Sequence, residues 1–198
     1  MRIVGGKYRR RKLHANPGSV TRPITDRVKE TLFELLADDL PGRRIADVFA
    51  GTGTWGLEAL SRDAGGVVFL ENDRRALGLL KKNVEMLGVN DHTLCWRTDV
   101  CRTSFRPKGV PHLLPYDIIF FDPPYRMTKD LAPGKPLYRS LERLSRDTVS
   151  ASDAILAFRA PRSTAPQCPP CWNPYQTLQF STMEIHLFQK LNSTFPPR

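Results

Sequence analysis

Ile118-Ile119-Phe120-Phe121 is an apolar run with no polar alternation, and it stops at Asp122-Pro123-Pro124-Tyr125. A strand with one wet face alternates apolar and polar residues, so an unbroken run points to a strand covered on both sides, as inside a parallel sheet flanked by helices. The remainder of the chain has the matching rhythm. From Arg44 onward, strand-like stretches over 45–49, 67–71, 93–96, 116–121 and 154–158 alternate with helix-like stretches over 54–62, 74–87 and 136–146; such alternation predicts a parallel sheet with crossover helices on both faces. Residues 175–180 and 183–190, separated by Ser181-Thr182, predict an antiparallel hairpin at one sheet edge. Ahead of all this, Thr25 or Asp26 opens a helix carrying Val28, Leu32, Leu35 and Leu36, which Pro41-Gly42 stops.

The front of the chain is basic. Residues 1–30 hold Arg2, Lys7, Arg9, Arg10, Arg11, Lys12, Arg22, Arg27 and Lys29 against only Asp26 and Glu30, in a chain of net charge +10. A field so concentrated favours a polyanion through counterion release. Ile3, Val4, Tyr8 and Leu13 lie among the charges and predict a folded ribbon in place of a loose tail. The expected form is a hairpin: Arg2-Ile3-Val4, a turn or bulge at Gly5-Gly6, then a second arm over 7–13. A solubility arm, or an unspecific grip on nucleic acid, is the plainer alternative. The expected division is a basic hairpin and connector over 1–24, a main domain over 25–191 and a frayed tail over 192–198.

No stretch approaches the roughly 18 consecutive apolar residues of a membrane span, and no apolar run or cleavage site follows the basic start; the expected location is the cytoplasm. Cys168-Pro169-Pro170-Cys171 has a redox or half-zinc spacing. It lies in a Pro-rich stretch, 161–174, that reads as an irregular loop, whereas a reactive pair wants a helix N-terminus. Cys95 and Cys101 do not supply a second knuckle at usual spacing. No metal site is expected.

Gly51-Thr52-Gly53-Thr54-Trp55-Gly56 falls between an expected strand and an expected helix. There, glycines let backbone approach a ligand and the helix start offers unpaired N–H groups. Glu71 ends the next strand, where a carboxylate can accept both hydroxyls of a ribose. That spacing suits a dinucleotide dehydrogenase as well as a methyltransferase. Asp47 tilts the choice, because a carboxylate is costly beside a pyrophosphate but can pair with the ammonium of an amino-acid cofactor; its other reading is to tie down loop N–H groups. Asp99 can receive an adenine amino group or cap the following turn.

The Asp-Pro-Pro-Tyr segment separates these readings. An aromatic amine is a poor nucleophile because its lone pair is delocalised into the ring. If Asp122 and the carbonyl of Pro123 each accept one N–H, the nitrogen is turned so that its lone pair faces an electrophile. Tyr125 would stack on the base, a contact worth roughly 1–3 kcal/mol, and two prolines stiffen the loop. A rigid turn after a core strand is the structural alternative.

The stretch from Asp47 to Ser61, Glu71-Asn72-Asp73 and Asp122-Pro-Pro-Tyr125, in that order, resembles the S-adenosylmethionine-dependent methyltransferases. Arg2-Ile-Val-Gly-Gly6 and Arg22-Pro-Ile-Thr-Asp-Arg-Val-Lys-Glu-Thr-Leu-Phe33 are similar to the RsmD family, which methylates a guanine N2 of 16S ribosomal RNA. The resemblance implies a Rossmann-like class I methyltransferase: a seven-stranded, mostly parallel sheet with an N-terminal hairpin that helps dock ribosomal RNA. It implies that Asp47, Ala50, Gly51, Gly53, Glu71, Asn72 and Asp99 hold S-adenosylmethionine, with Thr25 and Arg27 closing over it. Asp122, Pro123 and Tyr125 would meet the target base, and Arg2, Lys7, Arg9, Arg10, Arg11, Lys12 and Arg22 the RNA. The implied partner is the small ribosomal subunit or its assembly intermediate, approached by a monomer.

Three positions depart from the family's pattern. Arg10 stands where glycine is usual, so the hairpin is expected to bend differently; Arg159 stands where an acidic residue is expected; and 161–174 has no counterpart. Adenine-N6 methylation of RNA or DNA, a non-catalytic RNA-binding protein and a nicotinamide-linked oxidoreductase are the competing readings. The last lacks a histidine at a recognisable catalytic spacing.

Overall fold

A computed structural model of the chain describes residues 1–15, 24–162, 164 and 166–191. Arg22, the connector around it and the tail over 192–198 lie outside the described residues. Seven strands, β1 (Arg44–Val48), β2 (Gly66–Glu71), β3 (Thr93–Arg97), β4 (Tyr116–Phe121), β5 (Ser150–Pro161), β6 (Trp172–Gln179) and β7 (Met183–Lys190), form one sheet in the order β3-β2-β1-β4-β5-β7-β6. β1 to β5 pair in parallel, and β7 runs antiparallel between β5 and β6. Every residue of β4 is buried, as its unbroken apolar run requires.

Five helices cover the sheet: α1 (Asp26–Leu35), α2 (Thr54–Ser61), α3 (Arg74–Leu87), α4 (Tyr125–Thr128) and α5 (Pro136–Leu144). Their ends are set by local chemistry. The Thr25 hydroxyl accepts from the Val28 N–H at 3.4 Å to start α1, and Asp73 accepts from the Ala76 N–H at 2.7 Å to start α3. Gly88, at φ 66°, takes the left-handed turn that ends α3. One core gathers Ile3 and Leu13 with Leu32, Phe33, Leu57 and Leu80 on one face of the sheet. The other packs Phe105, Leu137, Leu141 and Phe158.

Three expectations need correcting. β5 is longer than 154–158: it starts at Ser150, beside Tyr116, and the ladder slips between Tyr116 and Ile118 to admit its polar first residues. The stretch 161–174 is not wholly irregular, because Pro161 ends β5 and Trp172 opens β6. Pro174 is tolerated inside β6 because that strand is at the sheet edge, and the register shifts between Pro174 and Gln176. The third correction is the front ribbon. Its arms share one isolated bridge, Arg2 with Lys12, and 7–10 form a turn where strand was expected.

The ribbon is not a regular hairpin because its backbone donors are taken by helix α2. The Val4 and Gly5 N–H groups donate to the Glu58 carboxylate at 2.9 and 2.8 Å. Ser61 receives the Lys7 N–H on its carbonyl at 2.7 Å and the Tyr8 N–H on its hydroxyl at 2.9 Å. Asn83 of α3 clasps the main chain of His14, accepting its N–H at 2.7 Å and donating to its carbonyl at 3.0 Å. Arg10 turns the ribbon at φ 70°, a conformation that glycine adopts freely and that costs other residues about 1–2 kcal/mol. Glycine is the residue expected here from the family resemblance, and this backbone conformation is one that suits glycine.

Glu58 is fully buried and also faces the Lys29 ammonium at 3.4 Å and the Arg62 Nε at 3.2 Å. Burial lowers the pKa of Lys29, and Glu58 opposes that shift; the ammonium also donates to the Arg2 carbonyl. Glu58→Ala therefore strands a buried cation and two backbone donors together. The expected loss is about 3–5 kcal/mol, seen as a lower urea midpoint at unchanged slope and as faster proteolysis within 1–15. An unchanged midpoint would show that the ribbon is not held this way.

Candidate active site

The Asp122 N–H donates to the Val48 carbonyl at 3.1 Å, carrying the β1–β4 pairing one residue past β4. This bond sets the Asp-Pro-Pro-Tyr turn beside the loop that leaves β1. The loop itself is built from left-handed residues: Phe49 at φ 64°, Gly51 at 55° and Gly53 at 86°. A Cβ on Gly53 would run into Leu80 and Leu57, whereas one on Gly51 would meet nothing. Gly53 therefore lets α2 approach α3, and Gly51 leaves clear space at the mouth.

Glu71 ties the loop from the other side. Its half-buried carboxylate accepts the Gly51 N–H at 2.8 Å and the Asp73 N–H at 2.7 Å. Each oxygen keeps a further lone pair for an incoming hydroxyl. Asp47 accepts the Gly56 N–H at 2.9 Å on Oδ2, while its Oδ1 is buried without a partner. Burial raises the Asp47 carboxyl well above the usual range. Being fully enclosed, Asp47 anchors the first turn of α2, and only the unpaired Oδ1 is left for anything else.

The other residues expected at a cofactor are placed as follows. Ala50 is buried and accepts the Gly53 N–H on its carbonyl at 2.8 Å. Asn72 is exposed, and its carbonyl takes the Arg97 Nε at 3.4 Å. Asp99 accepts the Cys101 N–H at 2.9 Å, which is the turn cap that the sequence left as its alternative. Thr25 is engaged as the cap of α1 and Arg27 is exposed on its first turn. Arg2, Lys7, Arg9, Arg10, Arg11 and Lys12 are all exposed, with Arg2 paired to Asp26 at 2.6 Å.

Asp122 has two neighbours that sequence reasoning did not assign. The Trp55 indole N–H donates to Oδ2 at 3.2 Å. The Nε of Arg159, on β5, lies 2.7 Å from Oδ1 but off hydrogen-bond alignment, so both atoms are in charge contact while neither is satisfied. The Arg159 guanidinium also sits over the Tyr125 ring, 5.4 Å from its centre, and the buried Tyr125 hydroxyl has no partner. Burial raises the Asp122 carboxyl, and the Arg159 charge and the Trp55 bond pull it back down. Beneath this group Trp55 stacks on Phe120 at 5.7 Å, and Phe33 closes the cluster at 5.5 Å from Phe120. Trp55 was visible inside the glycine motif itself. The only trace of Arg159 was an unexpected charge at the end of a strand.

Among the described residues no group of three or more His, Cys, Asp or Glu side chains is arranged to hold a metal, and no helix is long and apolar enough to cross a membrane. All four cysteines are free, and burial pushes Cys168 up to about 12.

A family model described as Conserved hypothetical protein 95 matches residues 1–189. The chain is 40% identical over 126 residues to Ribosomal RNA small subunit methyltransferase D of Escherichia coli K12, a match covering 64% of this chain and 61% of that protein. It is 38% identical over 130 residues to the protein of the same name from Haemophilus influenzae, covering 63% of this chain and 64% of the relative. The matches thus span less than two-thirds of either relative. Among solved structures, yhhF from Escherichia coli superposes with a TM-score of 0.79 at 31% identity, over 96% of this chain and 98% of that one. Hypothetical protein TTHA0928 of Thermus thermophilus gives 0.70 at 27% identity, over 94% and 98%. The sheet order and these likenesses make the fold a Rossmann-like class I methyltransferase fold.

The glycine geometry predicts a contrast. Gly53→Ala combines left-handed strain of about 1–2 kcal/mol with a clash on Leu80, whereas Gly51→Ala carries the strain alone. Urea unfolding should find the Gly53 variant clearly the less stable of the two; equal midpoints would contradict the packing described.

Proposed function

This chain belongs to the family described as Conserved hypothetical protein 95, and we propose that it transfers a methyl group from S-adenosylmethionine to the exocyclic N2 of a guanine in small-subunit ribosomal RNA. The observation that carries the reading is the Asp122 carboxylate, which stands at the carboxyl end of β4 with an unsatisfied Oδ1, beside the glycine loop and next to Tyr125. Open sheets bind ligands at such a strand end. The names of the relatives supply the RNA class.

The residues present suit the cofactor. Gly51 lets backbone approach a ligand without a side chain in the way, and the half-buried Glu71 carboxylate offers an acceptor for ribose hydroxyls. When bound, S-adenosylmethionine supplies an electrophilic methyl group. The protein's part is to present the amine. Asp122 and the Pro123 carbonyl accept its two N–H groups, which holds the nitrogen lone pair towards the methyl group. Tyr125 fixes the plane of the base. As the nitrogen becomes cationic, the Asp122 carboxylate stabilises it and takes the proton. The exposed cations of the front ribbon grip the RNA backbone. The enzyme is a single cytoplasmic chain acting on the small subunit or an assembly intermediate.

Radiolabel transfer from S-adenosylmethionine tests this directly, with small subunits lacking native methylation, free ribosomal RNA and DNA as acceptors. Label on guanine N2 that disappears in Asp122→Ala is expected; label on no RNA, or equal label with the variant, would overturn the reading. Because burial raises the Asp122 carboxyl and the reaction needs it ionised, kcat falls as pH drops through that raised value. The acid limb should therefore lie above the ordinary carboxylate range near pH 4. Arg9→Ala with Arg11→Ala removes two exposed charges. The expected results are weaker RNA binding and a smaller slope of log affinity against log salt, by about 2 if both contact phosphates, with the urea midpoint unmoved.

A further inference from the structure

Asp122 is a nearly enclosed carboxylate whose partners are few. Trp55 reaches it from α2 with one neutral N–H. Asp47 on β1 and Glu71 at the end of β2 are the neighbouring carboxyls; burial raises Asp47 well above the usual range, and Asp122 and Glu71 both raise it further. Tyr125, from α4, brings a hydroxyl that is buried and unpaired. Among the described residues the one cation in contact is Arg159, whose side chain is 6% exposed against 13% for Asp122, with Nε 2.7 Å from Oδ1. A carboxylate this dry does not stay ionised without a fixed counter-charge. The same guanidinium lies over the Tyr125 ring, so one side chain touches both the acid and the aromatic platform of the turn.

We propose that Arg159 is a positioning residue for methyl transfer: it keeps Asp122 charged and turned across the mouth, and it sets the Tyr125 ring against which the base lies. This rests on the function proposed above. A carboxylate oxygen has lone pairs for more than one donor, so Oδ1 can accept the amine N–H while the positive charge stays in place 2.7 Å away. A neutral residue at 159 would leave the Asp122 carboxylate without the cation that now lies 2.7 Å from it. Asp122 and Arg159 are thus a matched pair in this chain.

The test is the titration of Asp122 itself, followed by carboxyl carbon NMR on the full chain, beside the pH profile of kcat. In Arg159→Met the Asp122 titration and the acid limb should both move to higher pH. Activity measured below the limb should fall about tenfold for each pH unit of movement and recover as pH rises. Arg159→Lys, which keeps the charge, should leave both close to the parent positions. An unmoved Asp122 titration in Arg159→Met overturns the proposal, as does an equal loss of kcat at every pH with the limb in place. If Arg159→Met does not fold, the double variant Asp122→Asn with Arg159→Met is the readout: recovery of the fold by the neutral pair supports the matching, and its failure overturns it. If the parent protein transfers no methyl group, the proposed function fails while the NMR titration still decides whether the pair exists.

Discussion

The hydrogen bond from the Asp122 N–H to the Val48 carbonyl is the contact on which the rest of the site depends. In the order β3-β2-β1-β4-β5-β7-β6 the chain builds outward from β1 in one direction and then restarts at β4 in the other. β1 and β4 are therefore neighbours whose following loops diverge, and a crevice opens between them. The bond at 3.1 Å fixes the depth of that crevice by holding the first residue of the Asp-Pro-Pro-Tyr turn to the last residue of β1. The Trp55 indole adds a second tie between the glycine loop and the acidic turn, at 3.2 Å to Asp122.

A second layer of control comes from α2, which connects everything near the mouth. Its first turn is held by Asp47, its Trp55 reaches Asp122, and its Glu58 and Ser61 hold the front ribbon. The ribbon is consequently not a mobile basic arm. Its charges are exposed while its backbone is bonded to the helix that leads out of the glycine loop, so the ribbon stands at a fixed relation to that loop. The buried Lys29–Glu58 pair is at 3.4 Å, and its net stabilisation is small because charges taken from water regain little beyond what their desolvation costs, although removing one partner is costly.

Much of this architecture was legible in the sequence because it rests on local patterns. β4 and β7 have the bounds that their apolar runs indicate, and α3 begins and ends at Asp73 and Gly88, as its cap residues require. What escaped depends on partners distant in the chain. The ribbon's conformation follows from acceptors more than 50 residues away, which no periodicity in 1–15 reveals. β5 is longer than its apolar core because polar residues at its start pair with Tyr116. At the candidate site, the glycine loop, Glu71 and the Asp-Pro-Pro-Tyr turn were visible as motifs. The roles of Trp55 and Arg159 were not, since each is defined by contact with Asp122 across the crevice. Asp47 could be read two ways; in the structure it is enclosed and accepts the Gly56 N–H.

The central claim is that cofactor and target amine meet between the glycine loop and the Asp122 carboxylate. The most direct measurement is a crystal structure of the protein with S-adenosylhomocysteine and an RNA fragment carrying the target guanine. The account predicts the ribose on Glu71, the guanine against Tyr125 and its N2 bonded to Asp122, within the roughly 3–3.5 Å of the missing methyl position that a near-attack geometry requires. A ligand lying elsewhere on the sheet, or a base that enters the mouth without touching Asp122, would contradict it.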